Sequence, residues 1–258
     1  MAPLDRRFAD EGVLRGGRRT LAIGAGGSGV LAVAHLKALH LSRFGQVRPA
    51  TRFLGFDVME TPPRVTAPNG TGTADALSTR LEPGIEYCRL GDDCDPTRLS
   101  YLLRANRELN PQLRRLLERQ PDGRFTKSLQ TGTEGERLYG LVAFYWSLGE
   151  VRRLIRGALR AMNNLRLPEE YRASSAAGVS VQVVIVTSIA GGVGSSIALP
   201  LCGEVKRAMD SLGMDVNQST FIGVCFTPDC FPETTLRLSN AQATLNDFNV
   251  AQKEAVIP

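Results

Sequence analysis

The sequence predicts an α/β fold of the doubly wound, Rossmann-like kind: a mainly parallel sheet with helices on both faces. Three observations carry this. Two apolar runs, "RRTLAIGAGGSGVLAVAHLKALHL" and "VSVQVVIVTSIAGGVGSSIAL", each pass from a strand through a glycine turn into a helix. Strand and helix patterns alternate along most of the chain, as parallel sheets require. The 258 residues are also enough for one sizeable core.

Taken in order, "TLAIG" is a short strand, and the following helix places Leu31, Ala34, Ala38 and Leu41 on one face. "TRFLGFDV" is a second strand closing on Asp57, which completes a βαβ unit. The stretch from Met59 to Thr79 is turn-rich and polar and predicts an exposed loop. "DPTRLSYLLRANRELNPQLRRLLERQPDGR" reads as two helical pieces split at Pro111, with a turn at Asp122-Gly123. Apolar residues at 138, 141, 142, 145, 148, 151, 155, 159 and 162 predict one long amphipathic helix. A strand over 179–187, a helix through about Ser211, the buried strand "QSTFIGVCFTP" and a last helix through "QKEA" follow. No internal repeat or long linker divides the chain. Residues 1–19 read as an N-terminal extension, and 20–258 as one domain with an insertion at about 60–125.

Composition excludes several classes. The first residues have no apolar core and do not form a signal peptide. Residues 173–203 carry no charge, but glycines, serines, Gln182 and Thr187 interrupt them, so strand, turn and helix explain them better than a membrane span. Five cysteines without a C-x-x-C pair, and two histidines (His35 and His40) not spaced as helical neighbours, match neither a zinc site nor a disulfide framework. Reduced thiols point to the cytoplasm. The formal charge of +5 is mild, and the arginine-rich stretches read as solvated helix faces rather than a nucleic-acid surface.

Chemistry concentrates in the glycine turns. "GAGGSG", spanning Gly24, Ala25, Gly26, Gly27, Ser28 and Gly29, matches G-x-G-x-x-G, with Asp57 at the end of the next strand. In a dinucleotide enzyme that acid would hold a ribose hydroxyl. Adenylating enzymes share the letters but bring a catalytic cysteine segment and often paired zinc ligands. "AGGVGSS", spanning Ala190, Gly191, Gly192, Val193, Gly194, Ser195 and Ser196, lacks the lysine of a P-loop, and both lysines of a K-G-G-V-G-K-T loop. Exposed backbone N–H groups and a helix N-terminus suit a phosphate at either turn. Gly26 and Gly192 are expected to leave room for phosphate oxygens. A tight turn needing glycine only for packing, or a module without a ligand, are the structural alternatives.

Two glycine loops on neighbouring strands can hold one polyphosphate from two sides. In this the chain resembles the tubulin and FtsZ superfamily, nearest its bacterial tubulin-like group. "LAIGAGGSG" is similar to the family's first nucleotide loop, and "FLGFDVME" to its second strand and Asn/Asp-bearing loop. "TGTEGERLYGLVAF", with Gly132, Thr133 and Gly135, resembles the loop near the γ-phosphate. "AGGVGSS" stands at the signature G-G-G-T-G-[ST]-G, and the loop after "TFIGVCFTP" at E-G-x-x-R, with Thr227, Glu233 and Arg237. The resemblance implies GTP or GDP, with Mg2+ as a possible companion, and self-association or a C-terminal partner domain. It puts Asp57 and Glu233 on the ribose side, with Asp229 a candidate to help place the metal. Residues 60–125 match nothing in it.

The departures weaken the expected site without removing it. The signature threonine is Val193 and the last glycine is Ser196, which needs a negative φ to substitute. Loss of a hydroxyl bonded to phosphate implies roughly ten- to a hundredfold weaker binding. "EAVIP" reads as the end of the strand that in the family leads into the central helix. On that expectation the chain is a nucleotide-binding half. It is a GTPase only if a longer protein or a partner supplies the hydrolytic half, and no catalytic residue is assigned within it.

Overall fold

The structure, a computed structural model, describes residues 19–67, 77–105, 110–120, 122, 125, 129, 133–165 and 180–256. Five parallel strands form the central sheet in the order β5-β2-β1-β6-β7: β1 (Arg19–Ala25), β2 (Thr51–Asp57), β5 (Tyr87–Arg89), β6 (Val181–Ser188) and β7 (Thr220–Phe226). Side chains alternate along each strand, so every strand feeds two cores. Leu21, Ile23 and Ala25 of β1 face the larger core, while Ala22 faces the smaller.

Helix α1 (Gly26–Phe44) covers the smaller side with Val30, Val33, Ala34 and Ala38, all buried. It stops at Gly45, whose φ of 72° gives a left-handed C-cap. The opposite side is covered by α4 (Arg137–Trp146), α5 (Leu148–Asn163) and α6 (Gly192–Ser211). Glu204 of α6 is buried and accepts from Arg152 of α5 at 2.8 and 3.1 Å, a two-pronged pairing that fixes these helices side by side.

Four expectations change, the last of them at β7. The single long helix over 138–162 is two, α4 and α5, meeting at Ser147 (φ −89°, ψ 11°). Its hydroxyl accepts the Gly91 N–H at 2.8 Å, so a tertiary bond from the β5 end marks the break within an uninterrupted apolar stripe. The loop after Met59 contains a small antiparallel pair, β3 (Val65–Ala67) and β4 (Leu77–Thr79). The last helix, α7 (Thr235–Val256), runs through "QKEA" as expected and on to Val256, so the reading of "EAVIP" as a strand end gives way. The good helix formers Gln252, Lys253, Glu254 and Ala255 favour that outcome.

Between β5 and α4 lie α2 (Pro96–Ala105) and α3 (Pro111–Glu118). The split at Pro111 is real. Asn110 caps α3 by accepting the Leu113 N–H at 3.2 Å, and Pro111 occupies the first turn, where no N–H is needed. Strand β7, expected to be buried, ends the sheet order and has no buried residue; Ile222 and Val224 on it are exposed, because no strand pairs with its outer side among the described residues. Among the described residues no helix is long and apolar enough to cross a membrane.

Candidate functional site

Strands β1 and β6 are direct neighbours, with Ala25 opposite Thr187 in register. Both glycine loops therefore leave the same edge of the sheet side by side, where open α/β sheets bind ligands. The helices begin inside the glycine motifs themselves, α1 at Gly26 and α6 at Gly192.

The loops touch through their backbones. Gly26 has a φ of 72°, and a Cβ there would lie 2.6 Å from the Gly194 amide nitrogen. A Cβ on Gly194 would lie 2.5 Å from the Thr187 hydroxyl and 2.8 Å from the Ala25 carbonyl oxygen. On Gly192 it would lie 2.5 Å from the Thr133 hydroxyl and 2.6 Å from the Gly135 carbonyl carbon. Gly24 and Gly29 would collide with the carbonyls of Gly29 and Val186. Glycine at Gly26 and Gly192 thus answers to loop-on-loop packing, as the packing alternative expects, whatever ligand space it also leaves. Gly191 differs: among the described residues nothing lies within 4 Å of its Cβ position, and Gly27 would meet only Asp57 at 3.5 Å and Met59 at 3.9 Å.

The loops enclose a crevice of about 170 Å³, lined by Ala25, Gly26, Gly27, Ser28, Asp57, Val58, Thr133, Ser188, Gly191, Gly192, Val193 and Gly194. This suits a phosphate chain better than a whole nucleoside. Neither α1 nor α6 has a side-chain N-cap or an acid in its first turn. Helix ends normally find such partners for their free N–H groups. Here two positive helix ends converge on the crevice without one.

Residues 133–136 form its third wall. The Glu136 N–H donates to the Thr133 carbonyl at 2.8 Å, and Glu134 and Gly135 both have positive φ (49° and 83°), a tight turn of the primed kind. Helix α7 holds this turn to the second glycine loop. The Asn240 side-chain amide, 5% exposed, donates to the carbonyls of Gly135 at 2.7 Å and Ala190 at 3.2 Å. One turn on, the Thr244 hydroxyl lies 3.2 Å from the Ser195 carbonyl. Arg137 at the start of α4 donates to the same carbonyl at 3.1 Å and pairs with Asp247. Sequence reasoning missed Asn240, Thr244, Asp247 and Arg137. The three on α7 share one signal, an i, i+4, i+7 polar stripe that reads equally well as a solvated face, and Arg137 on α4 carries none.

Asp57 ends β2 with 3% exposure. Burial pushes its carboxyl up to about 6, against the pull of hydrogen bonds from the Val58 and Met59 backbone. Val193 is 6% exposed, packs in the larger core and lines the crevice as well. The Ser195 and Ser196 hydroxyls turn back onto the carbonyls of Gly192 (3.3 Å) and Val193 (2.8 Å). Ser196 lies within α6 and is not among the residues of positive φ, as its replacement of a glycine requires.

The structure does not bring Thr227, Glu233 or Arg237 to the crevice. They follow β7, with Thr227 and Glu233 exposed and Arg237 bonded to the Pro232 carbonyl beside the Phe231 ring. Asp229 is exposed in the short 3-10 turn Pro228–Cys230, where the Thr227 hydroxyl holds its carboxyl below the usual range. Gly132 lies outside the described residues.

No curated protein matches the chain. The family model described as "Tubulin like" matches residues 21–256, a span that takes in both glycine loops, the turn at 133–136 and all of α7. On that match and on this parallel sheet, the chain belongs to the Tubulin like family.

Proposed function

We propose that the crevice holds the phosphates of a guanine nucleotide, GTP or GDP, with Mg2+ as counter-charge. The chain then serves as the nucleotide-binding part of a self-assembling, cytoskeletal-type protein of the bacterial cytoplasm. The observation that carries this reading is the pair of uncapped helix N-termini, α1 and α6, meeting over adjacent parallel strands. Backbone N–H groups there suit phosphate oxygens, and the open face of Gly191 leaves room for them. The replacement of threonine by Val193 makes the binding weak. Asp57 lies on the ribose side of the same crevice, within reach of Gly27.

Assembly follows from the family resemblance, through a second copy or a C-terminal partner domain capping the nucleotide. Asp57 is the one carboxylate lining the crevice among the described residues. Turnover accordingly waits on acids delivered across such a contact. Nucleic acid has no part in this function.

The deciding experiment is to denature the purified protein and identify the released nucleotide by chromatography. GTP or GDP is the expected result, backed by calorimetric titration with GDP. Release of NAD or ATP would favour a dinucleotide-dependent or adenylating enzyme built on "GAGGSG". No released nucleotide and no heat with GDP would overturn the proposal.

A further inference from the structure

A second cleft, of about 470 Å³, opens where α3 meets α4, α6 and α7. It is separate from the crevice, sharing no lining residue with it. Its body is apolar, built chiefly by Leu116, Leu141, Leu199 and Phe248. Its charge is lopsided. Arg115, Arg119 and Arg137 line it against one acid among the described residues, Asp247, which is already paired with Arg137.

Arg115 and Arg119 stand four residues apart and so share one face of α3 at its C-terminal end. Both are exposed, and neither has a hydrogen-bond or ion-pair partner among the described residues. The Nε of Arg137 is buried and also lacks an acceptor among them. Exposure on a helix face alone would mark such arginines as solvated. These instead rim an apolar recess of the size that small ligands occupy, roughly 300–1,000 Å³. Guanidinium groups held beside apolar walls select anions through charge-assisted hydrogen bonds.

We propose that this cleft binds a small organic anion with an apolar body, its charged end on Arg115 and Arg119 and its body against Leu141, Leu199 and Phe248. The site is independent of what the crevice holds. Its floor is nevertheless the first turn of α6, since Ser195 and Ser196 line the cleft while Gly192 and Gly194 line the crevice.

The test is a fluorescence titration of the whole chain with anilinonaphthalene sulfonate, an aromatic sulfonate, alongside its uncharged analogue phenyl-naphthylamine. The sulfonate is expected to bind one saturable site, at least about tenfold tighter than the uncharged analogue. Joint substitution Arg115→Ala and Arg119→Ala, on exposed side chains that leave folding intact by circular dichroism, should weaken it about tenfold. Ile222→Asn with Val224→Asn, on the exposed strand β7, should leave the titration unchanged. Equal binding of the two probes, an unaltered titration in the arginine variant, or loss of signal in the β7 variant alone would overturn the proposal. So would a change of oligomeric state in the arginine variant with probe binding intact, which would give the cleft to a second copy.

Discussion

Asn240 on α7 donates its side-chain amide to the carbonyl of Gly135 at 2.7 Å, and the same nitrogen reaches the Ala190 carbonyl at 3.2 Å. One buried group thereby joins two of the three walls of the crevice. Asn240→Ala is expected to cost about 1–3 kcal/mol, since it leaves two carbonyls short of a donor. Hydrogen exchange should accelerate together at 133–136 and 188–191. Asn240→Asp, similar in shape but an acceptor, should cost at least as much. Unchanged exchange at either wall would show that the bond holds nothing in place.

The glycines separate into two kinds, and substitution should sort them. Gly26→Ala and Gly194→Ala are expected to destabilise by about 2–5 kcal/mol, through a strained left-handed φ at Gly26 and backbone collision at both. Gly191 has an extended backbone (φ −84°, ψ 165°) and an open Cβ position. Gly191→Val should change stability by no more than about 0.5 kcal/mol. Calorimetry with GDP should nonetheless show binding weakened at least about tenfold, a loss of about 1.4 kcal/mol.

Val193→Thr is expected to tighten GDP binding by about tenfold by restoring a hydroxyl donor at the crevice. The exchange should cost about 1 kcal/mol of stability, because the side chain also packs in the core. A dissociation constant unmoved by the substitution would mean that Val193 serves packing alone.

Asp57 links folding to pH. Its folded-state pKa, about 6, lies above the ordinary 3.8, so the folded chain holds this proton more tightly than the unfolded one. Stability from this group is therefore greatest at low pH. It falls as pH rises from about 4 to about 6, and is flat above that. Asp57→Asn should raise stability at pH 7 by about 1–3 kcal/mol, with the advantage over the native chain shrinking toward pH 4. Denaturation series across that range would show it, and a constant gap would contradict it.

Phosphate release at rising protein concentration tests the division of labour. With Asp57 the one crevice acid among the described residues, GTP turnover by the chain alone should stay at background and scale linearly with protein. A faster-than-linear rise would mean that the chain assembles a complete hydrolytic site by itself.

Much of this site was legible because its signals are local. An apolar run followed by "GAGGSG" or "AGGVGSS" marks strand, turn and helix within a few residues, and β1 and β6 appear where those runs stand. What was illegible depends on contacts distant in sequence. Ser147 interrupts a perfect helical stripe through its bond to Gly91, 56 residues away. Asn240 looks like surface in a helix of mixed composition, and acquires its role from Gly135 and Ala190, 105 and 50 residues away. The short strand β5, three residues long, carries too little pattern to be recognised without β2 beside it.

Strand β7 has a consequence for how the protein behaves in a tube. Its outer ladder of N–H and C=O groups has no strand beside it among the described residues, and Ile222 and Val224 face outward. From Gln218 to Phe226 the sequence carries no charge and no proline, the composition of a segment that stacks with its own kind. Concentrated stocks should therefore lose material by sheet-to-sheet accretion, detectable as thioflavin-positive turbidity. Val224→Lys, a gatekeeper charge on the exposed face, should extend their working life without touching the crevice.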